Sequence, residues 1–139
     1  MSQANREILF RGRVLYNGNH RFAGEWVYGF YWTNYMGNNF ITICCDKDGF
    51  FVNEDVEVDP DTLGQYTGLK DKGLKKIFEG DIVRCDARLD RADMVVIFEE
   101  GEFHLVLLEK YNDYIPLTGF YCIRNFIKEV IGNIHEQGI

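Results

Sequence analysis

Gln65-Tyr-Thr-Gly-Leu-Lys-Asp-Lys-Gly-Leu-Lys-Lys-Ile-Phe-Glu-Gly-Asp-Ile-Val83 is the stretch whose reading decides the fold of this chain. Its glycines at 68, 73 and 80 mark turns, because glycine enters positive φ without a Cβ clash. Lys70-Asp71-Lys72-Gly73 reads as a polar, mobile turn tip. A type II′ turn with Gly73 at positive φ is expected there, since a bulkier residue, Leu74, follows the glycine. Ile77 and Phe78 resume apolar character, Glu79-Gly80-Asp81 turns the chain again, and Ile82-Val83 starts a β-branched strand. The glycines do not form a phosphate cradle, because no strand–loop–helix pattern surrounds them and no Gly-Lys-Ser/Thr follows. The apolar residues Tyr66, Leu69, Ile77, Phe78, Ile82 and Val83 make the stretch a structural joint between two halves.

N-terminal to it, Arg6 to Tyr16 reads as one or two short strands broken at Gly12, after a frayed start over residues 1–5. Phe22 to Trp32 is dense in rings. Trp26, Tyr28, Phe30 and Trp32 share one strand face by their even spacing. As an interaction surface this row would stack single-stranded bases or meet a protein. Core packing is the favoured reading, because base stacking needs flanking cations and the segment has only Arg21. Phe40 to Cys45 and Phe50 to Val52 flank Asp46-Lys-Asp-Gly49 as a hairpin. The Asp-x-Asp-Gly spacing is not a calcium loop, since Phe50 and Phe51 stand where a ligand and a glycine are required. The acidic run Glu54 to Asp61 alternates with Val56 and Val58 and is expected as an edge strand with outward charges. Asp59-Pro60-Asp61-Thr62 is expected as a turn, or as one helical turn with Asp59 capping it and Pro60 at its first position. A subdomain boundary follows near residue 64.

C-terminal to the stretch, Asp81–Cys85, Met94–Glu99, Glu102–Leu108 and Lys128–Ile134 read as strands. Glu100-Gly101 is a hairpin turn. Arg84 to Asp93 and Glu109 to Pro116 read as loops, and Phe120 to Phe126 as a strand or a helical turn. The fold class is therefore mainly β with little helix, in an N-terminal β-rich subdomain over 1–64 and a C-terminal subdomain over 65–139.

Composition narrows the function. The net charge of −7 argues against phosphate-backbone binding, which needs excess Lys and Arg. Lys70, Lys72, Lys75 and Lys76 form a weak basic patch at most, with Asp71, Glu79 and Asp81 beside them. The chain holds no long apolar run and no signal-peptide core at its start, so no membrane association and a cytoplasmic location are expected. Cysteines at 44, 45, 85 and 122 lack Cys-x-x-Cys spacing and are expected reduced, with no metal bound. His20, His104 and His135 are widely separated, and the only serine is Ser2. No catalytic constellation, cofactor site or metal site emerges, and no enzyme is expected.

Gln65-Tyr-Thr-Gly-Leu-Lys-Asp-Lys together with Ile77-Phe-Glu-Gly-Asp-Ile-Val resembles the signature of the YopX family of phage and prophage proteins. Ile8-Leu-Phe-Arg-Gly12, Gly24-Glu-Trp-Val-Tyr-Gly29 and Glu129-Val-Ile-Gly-Asn-Ile134 resemble its flanking pieces in order. The resemblance implies a β-rich protein with an SH3-like barrel in its C-terminal half, carried by phage or integrated elements in a bacterial host; it does not imply a catalytic residue. Two positions depart from it. Gly73-Leu74 stands where the family usually has Asn-Gly, and the tail after Ile134 is His-Glu-Gln-Gly-Ile. With the aromatic content of 15%, the resemblance points to a non-enzymatic interaction protein that self-associates and binds an unidentified host or phage protein. Alternatives are a weak nucleic-acid-binding SH3-like protein and an acidic inhibitor of a host nucleic-acid enzyme.

Overall fold

Alternating apolar residues and glycine-marked turns leave this sequence little choice but strands. The computed structural model describes residues 7–18, 20–86, 91–107, 114–116 and 127–136, and these contain no helix. The strands are β1 Phe10–Val14, β2 Trp26–Thr33, β3 Asn39–Lys47, β4 Phe50–Lys70, β5 Lys76–Phe78, β6 Asp81–Asp86, β7 Arg91–Glu99, β8 Glu102–Leu107, β9 Tyr114–Pro116 and β10 Ile127–Asn133. The expectations for residues 1–5, for Phe120 to Phe126, for Cys122 and for the last residues of the tail lie outside the described residues. The chain divides into two compact units, Met1–Gln65 and Tyr66–Ile139.

In the first unit, antiparallel pairings link β1 to β2, β2 to β3, β3 to β4, and β4 back to β1. Period-two alternation sends Val14, Val27, Ile41, Val56 and Val58 inward to a common core, with Phe10, Ile43 and Leu63 packed against it. Asp48 and Gly49 both take positive φ, so the β3–β4 hairpin closes through the Asp-Gly turn that its twist favours.

Two expectations fail here for one reason. The acidic run is not an edge strand, because β4 pairs with β3 through Phe50–Glu57 and then with β1 from Val58 onward. Nor does Asp59–Thr62 end the strand. It is an irregularity inside β4, where the β1 register shifts. The Thr62 hydroxyl donates to the Asp59 carbonyl (2.7 Å) and accepts from the Arg13 N–H (2.9 Å), while the Asp59 carboxylate accepts from the Asp61 N–H (3.0 Å). Side chains thus take up backbone groups that the ladder leaves over, and Pro60, with no N–H to place, is tolerated.

In the second unit the strand order is β10-β6-β7-β8-β9, all antiparallel. Ile77, Val83, Cys85, Met94, Val96, Leu105 and Ile127 form the core on one face. Ile82, Val95 and Val106 form a cross-strand row on the other face and are equally buried. The loop expected over Arg84 to Asp93 is shorter than its charges suggested, because β6 runs to Asp86 and β7 begins at Arg91. Arg84 and Asp93 are cross-strand partners, and Arg84 also meets Glu129 at 3.1 Å, so the mixed charges mark a solvated strand face. Likewise β9 occupies Tyr114–Pro116, inside the expected loop at 109–116.

The turns of the decisive stretch are held by carboxylates. Asp71, 7% exposed, accepts the Gly73 and Lys75 N–H groups on Oδ1 (2.9 Å each) and the Val130 N–H on Oδ2 (3.0 Å). It is an anchor, not the mobile tip expected. Asp81 is buried and accepts the Phe78 N–H at 2.7 Å. Gly80, at φ 91, donates its N–H to the Val96 carbonyl (2.7 Å) and accepts from the Ile134 N–H (2.9 Å).

The expected type II′ turn is corrected. The left-handed residue is Leu74, at φ 68, not Gly73. The Leu74 N–H reaches the Asp71 carbonyl (3.0 Å) and the Asp71 N–H reaches the Lys75 carbonyl (2.9 Å), so the loop holds one residue more than a II′ turn. The Asn-Gly of the resembled family would place glycine on the left-handed position. Leu74 is 76% exposed, so its side chain gains little from burial. Leu74→Gly should therefore raise stability by about 0.5–1 kcal/mol, read as a higher denaturant midpoint at constant slope.

Candidate functional site

The even-numbered rings of β2 project to the outside of the first unit. Tyr28, Phe30 and Trp32 are 45%, 59% and 39% exposed, and Trp26 is half-buried beneath the guanidinium groups of Arg11 and Arg13. Core packing of the row is thus corrected. The buried face of β2 is the odd-numbered one, with Val27 and Gly29. A Cβ on Gly29 would stand 2.1 Å from the Thr42 carbonyl oxygen, so the inner side of the strand has no room for rings there.

Register joins residues that spacing alone could not. Phe30 lies opposite Thr42, and Thr42 opposite Asp55; Trp32 lies opposite Phe40, and Phe40 opposite Glu57. Each outward aromatic row therefore ends at a carboxylate on β4. Trp32 stacks on Phe40, with centroids 4.7 Å apart and planes at 18°. Its indole N–H donates to the Thr42 hydroxyl (2.7 Å), which donates to Asp55 (2.6 Å). This chain of bonds fixes the Trp32 ring before anything binds. Phe40, Thr42, Asp55 and Glu57 were not singled out from the sequence, because their membership depends on strand pairing.

The lysines gather around one small hairpin of the second unit. Lys70 and Lys76 are opposed across β4 and β5, and Lys72 and Lys75 flank the exposed Leu74 in the connecting loop. Lys76 places its ammonium 5.6 Å from the Tyr66 ring centroid. Asp71 and Asp81, their sequence neighbours, are turned into the unit and bonded to backbone N–H groups.

A third constellation lines a small cavity of about 180 Å³ in the first unit, with Val14, Tyr16, His20, Arg21, Glu54 and Glu57 among its walls. Glu54 was expected to point outward with the other acids. Instead its carboxylate accepts two bonds from the Arg21 guanidinium (2.9 Å each) and contacts His20 Nε2 at 3.0 Å. The Arg21 hydrogen bond holds the Glu54 carboxyl down to about 2, and Arg21 is itself pushed up. The folded-state value lies below the unfolded one, so the stabilisation is complete above the ordinary carboxylate range and is lost as pH falls toward 2. Wild type should exceed Glu54→Gln in stability by about 1 kcal/mol or less at neutral pH, the pair being partly solvated. Thermal midpoints of the two proteins should converge between pH 5 and pH 2.

Cys44, Cys45 and Cys85 are free thiols. Among the described residues no group of His, Cys, Asp and Glu is arranged to hold a metal ion, and no helix is long and apolar enough to cross a membrane. The arrangement is one of surfaces: a rigid ring-and-carboxylate face on one unit and a lysine-bearing hairpin on the other. No curated protein sequence matches the chain. The family described as YopX protein matches it over residues 22–138, a span that takes in the aromatic row, the acidic strand and the carboxylate-anchored turns alike. With most of its length covered in one continuous match, the chain belongs to the YopX family.

Proposed function

We propose that this chain is a phage- or prophage-encoded, non-catalytic interaction module that works in the cytoplasm of a bacterial host and self-associates through the outer face of its first unit. The observation that carries this reading is the exposure of Tyr28, Phe30 and Trp32 on one sheet face, where Trp32 is already pinned by stacking on Phe40 and a hydrogen bond to Thr42. Contiguous exposed aromatics on a rigid surface mark contact sites, and preorganised rings lose little conformational freedom on docking. The second unit is read as an SH3-like arrangement; the order β10-β6-β7-β8-β9, with the last strand beside the first of the series, supports it. Sedimentation equilibrium from low to high micromolar concentration tests the self-association. The mass should rise above that of the monomer for wild type and fall back for Phe30→Ser. A wild-type monomer throughout would overturn it.

A second reading, weak nucleic-acid binding through Lys70, Lys72, Lys75 and Lys76, draws on their clustering at one hairpin while Asp71 and Asp81 turn inward. The net charge of −7 weighs against it. A low-salt titration with single-stranded and duplex DNA decides: no binding removes this reading.

A further inference from the structure

Two surfaces of this chain carry complementary chemistry. On the first, the rows Phe30–Thr42–Asp55 and Trp32–Phe40–Glu57 set exposed rings beside carboxylates. Ring faces and carboxylates both attract cations and accept an apolar side chain between them. Arg13 and the buried Arg11 cover Trp26 at the other end of the row, so the open part of the face is the part at Phe30 and Trp32. The second surface is the hairpin tip. There Leu74 is 76% exposed in the left-handed region, where leucine is disfavoured, with exposed Lys72 and Lys75 beside it in the loop and exposed Lys70 at the end of β4. Asp71 locks the loop that presents it. A strained, exposed apolar residue flanked by cations is what an aromatic face edged with carboxylates would receive.

We propose that the Leu74 hairpin of one copy docks on the Phe30–Trp32 face of a second copy, with the lysines against Asp55 and Glu57. This rests on the self-association proposed above and names its two surfaces. The contact is heterologous: each copy has one face and one hairpin, so copies add head to tail into a ring or an open chain.

Mixing separates this arrangement from a symmetric one. Leu74→Gly disables the hairpin and should weaken association about tenfold while the fold is kept or made more stable, so lost folding cannot explain the effect. Phe30→Ser, and Asp55→Lys as a second variant should Phe30→Ser unfold, disables the face. Neither Leu74→Gly nor the face variant should associate alone at concentrations where wild type does. An equimolar mixture of the two should form a dimer and stop there, since it contains one intact face and one intact hairpin. Wild-type association should also weaken as salt rises. If wild type associates and Leu74→Gly associates equally well, this inference fails and the self-association stands on another contact. If the mixture gives no dimer, the face meets itself and the inference fails. If wild type is monomeric throughout, the self-association itself fails.

Discussion

Gly29→Ala should cost this protein about 3 kcal/mol or more, at or above the upper end of what a single added methyl does to a packed site. The added carbon would stand 2.1 Å from the Thr42 carbonyl oxygen and 2.9 Å from its carbonyl carbon. Both are main-chain atoms of β3, so no rotamer change relieves the overlap. Gly29 is also where β2 changes partner: Trp26–Gly29 pair with β1, and Phe30–Thr33 pair with β3. The close approach of β3 at that corner needs a residue without a side chain. Gly132→Ala is the control, since nothing lies within 4 Å of its added carbon. Denaturant midpoints should place Gly132→Ala near wild type and Gly29→Ala far below it. Equal midpoints would mean that the two strands do not approach as described.

Asp71→Ala should cost about 3 kcal/mol, through hydrogen bonds and not through lost packing. Its carboxylate accepts three backbone N–H groups, those of Gly73, Lys75 and Val130. The first two shape the β4–β5 loop, and the third ties that loop to β10 in the same unit. Removing a buried charged acceptor leaves its donors without that partner, at about 1–3 kcal/mol for each buried group. Asp71→Asn should fall between wild type and Asp71→Ala. Its amide oxygen can keep the Gly73 and Lys75 bonds, but its NH₂ then faces the Val130 N–H, donor against donor. Amide hydrogen exchange gives the specific signature: Val130 should lose protection in both variants, and Lys75 mainly in Asp71→Ala. Uniform exchange changes across the second unit would contradict this local role.

What the sequence alone determined about this protein is what local chemistry can settle. Mainly β structure followed from alternation and from glycine and Asp-Gly turns. Family membership followed from the spaced pieces around Gln65–Val83, which the match over residues 22–138 supports. The hairpins at Asp48-Gly49 and Glu100-Gly101 were legible because both turns need positive φ at their two central residues. Facing was another matter. Even spacing put Trp26, Tyr28, Phe30 and Trp32 on one side of β2, yet spacing carries no sign for which side is buried. That was decided by the Thr42 carbonyl crowding Gly29, a contact between residues 13 apart in the chain. The run from Glu54 to Asp61 failed similarly. Its acids alternate as an edge strand's would, but β1 and β3 both pair with that strand, and Glu54 turns to Arg21. Asp71 looked like a polar tip because the N–H it reaches at Val130 is 59 residues away. Leu74 looked ordinary because a backbone angle is not written in a side chain. Carboxylate anchors, the outward aromatic face and its acidic border all depend on register, and register is a property of paired strands, not of any one of them.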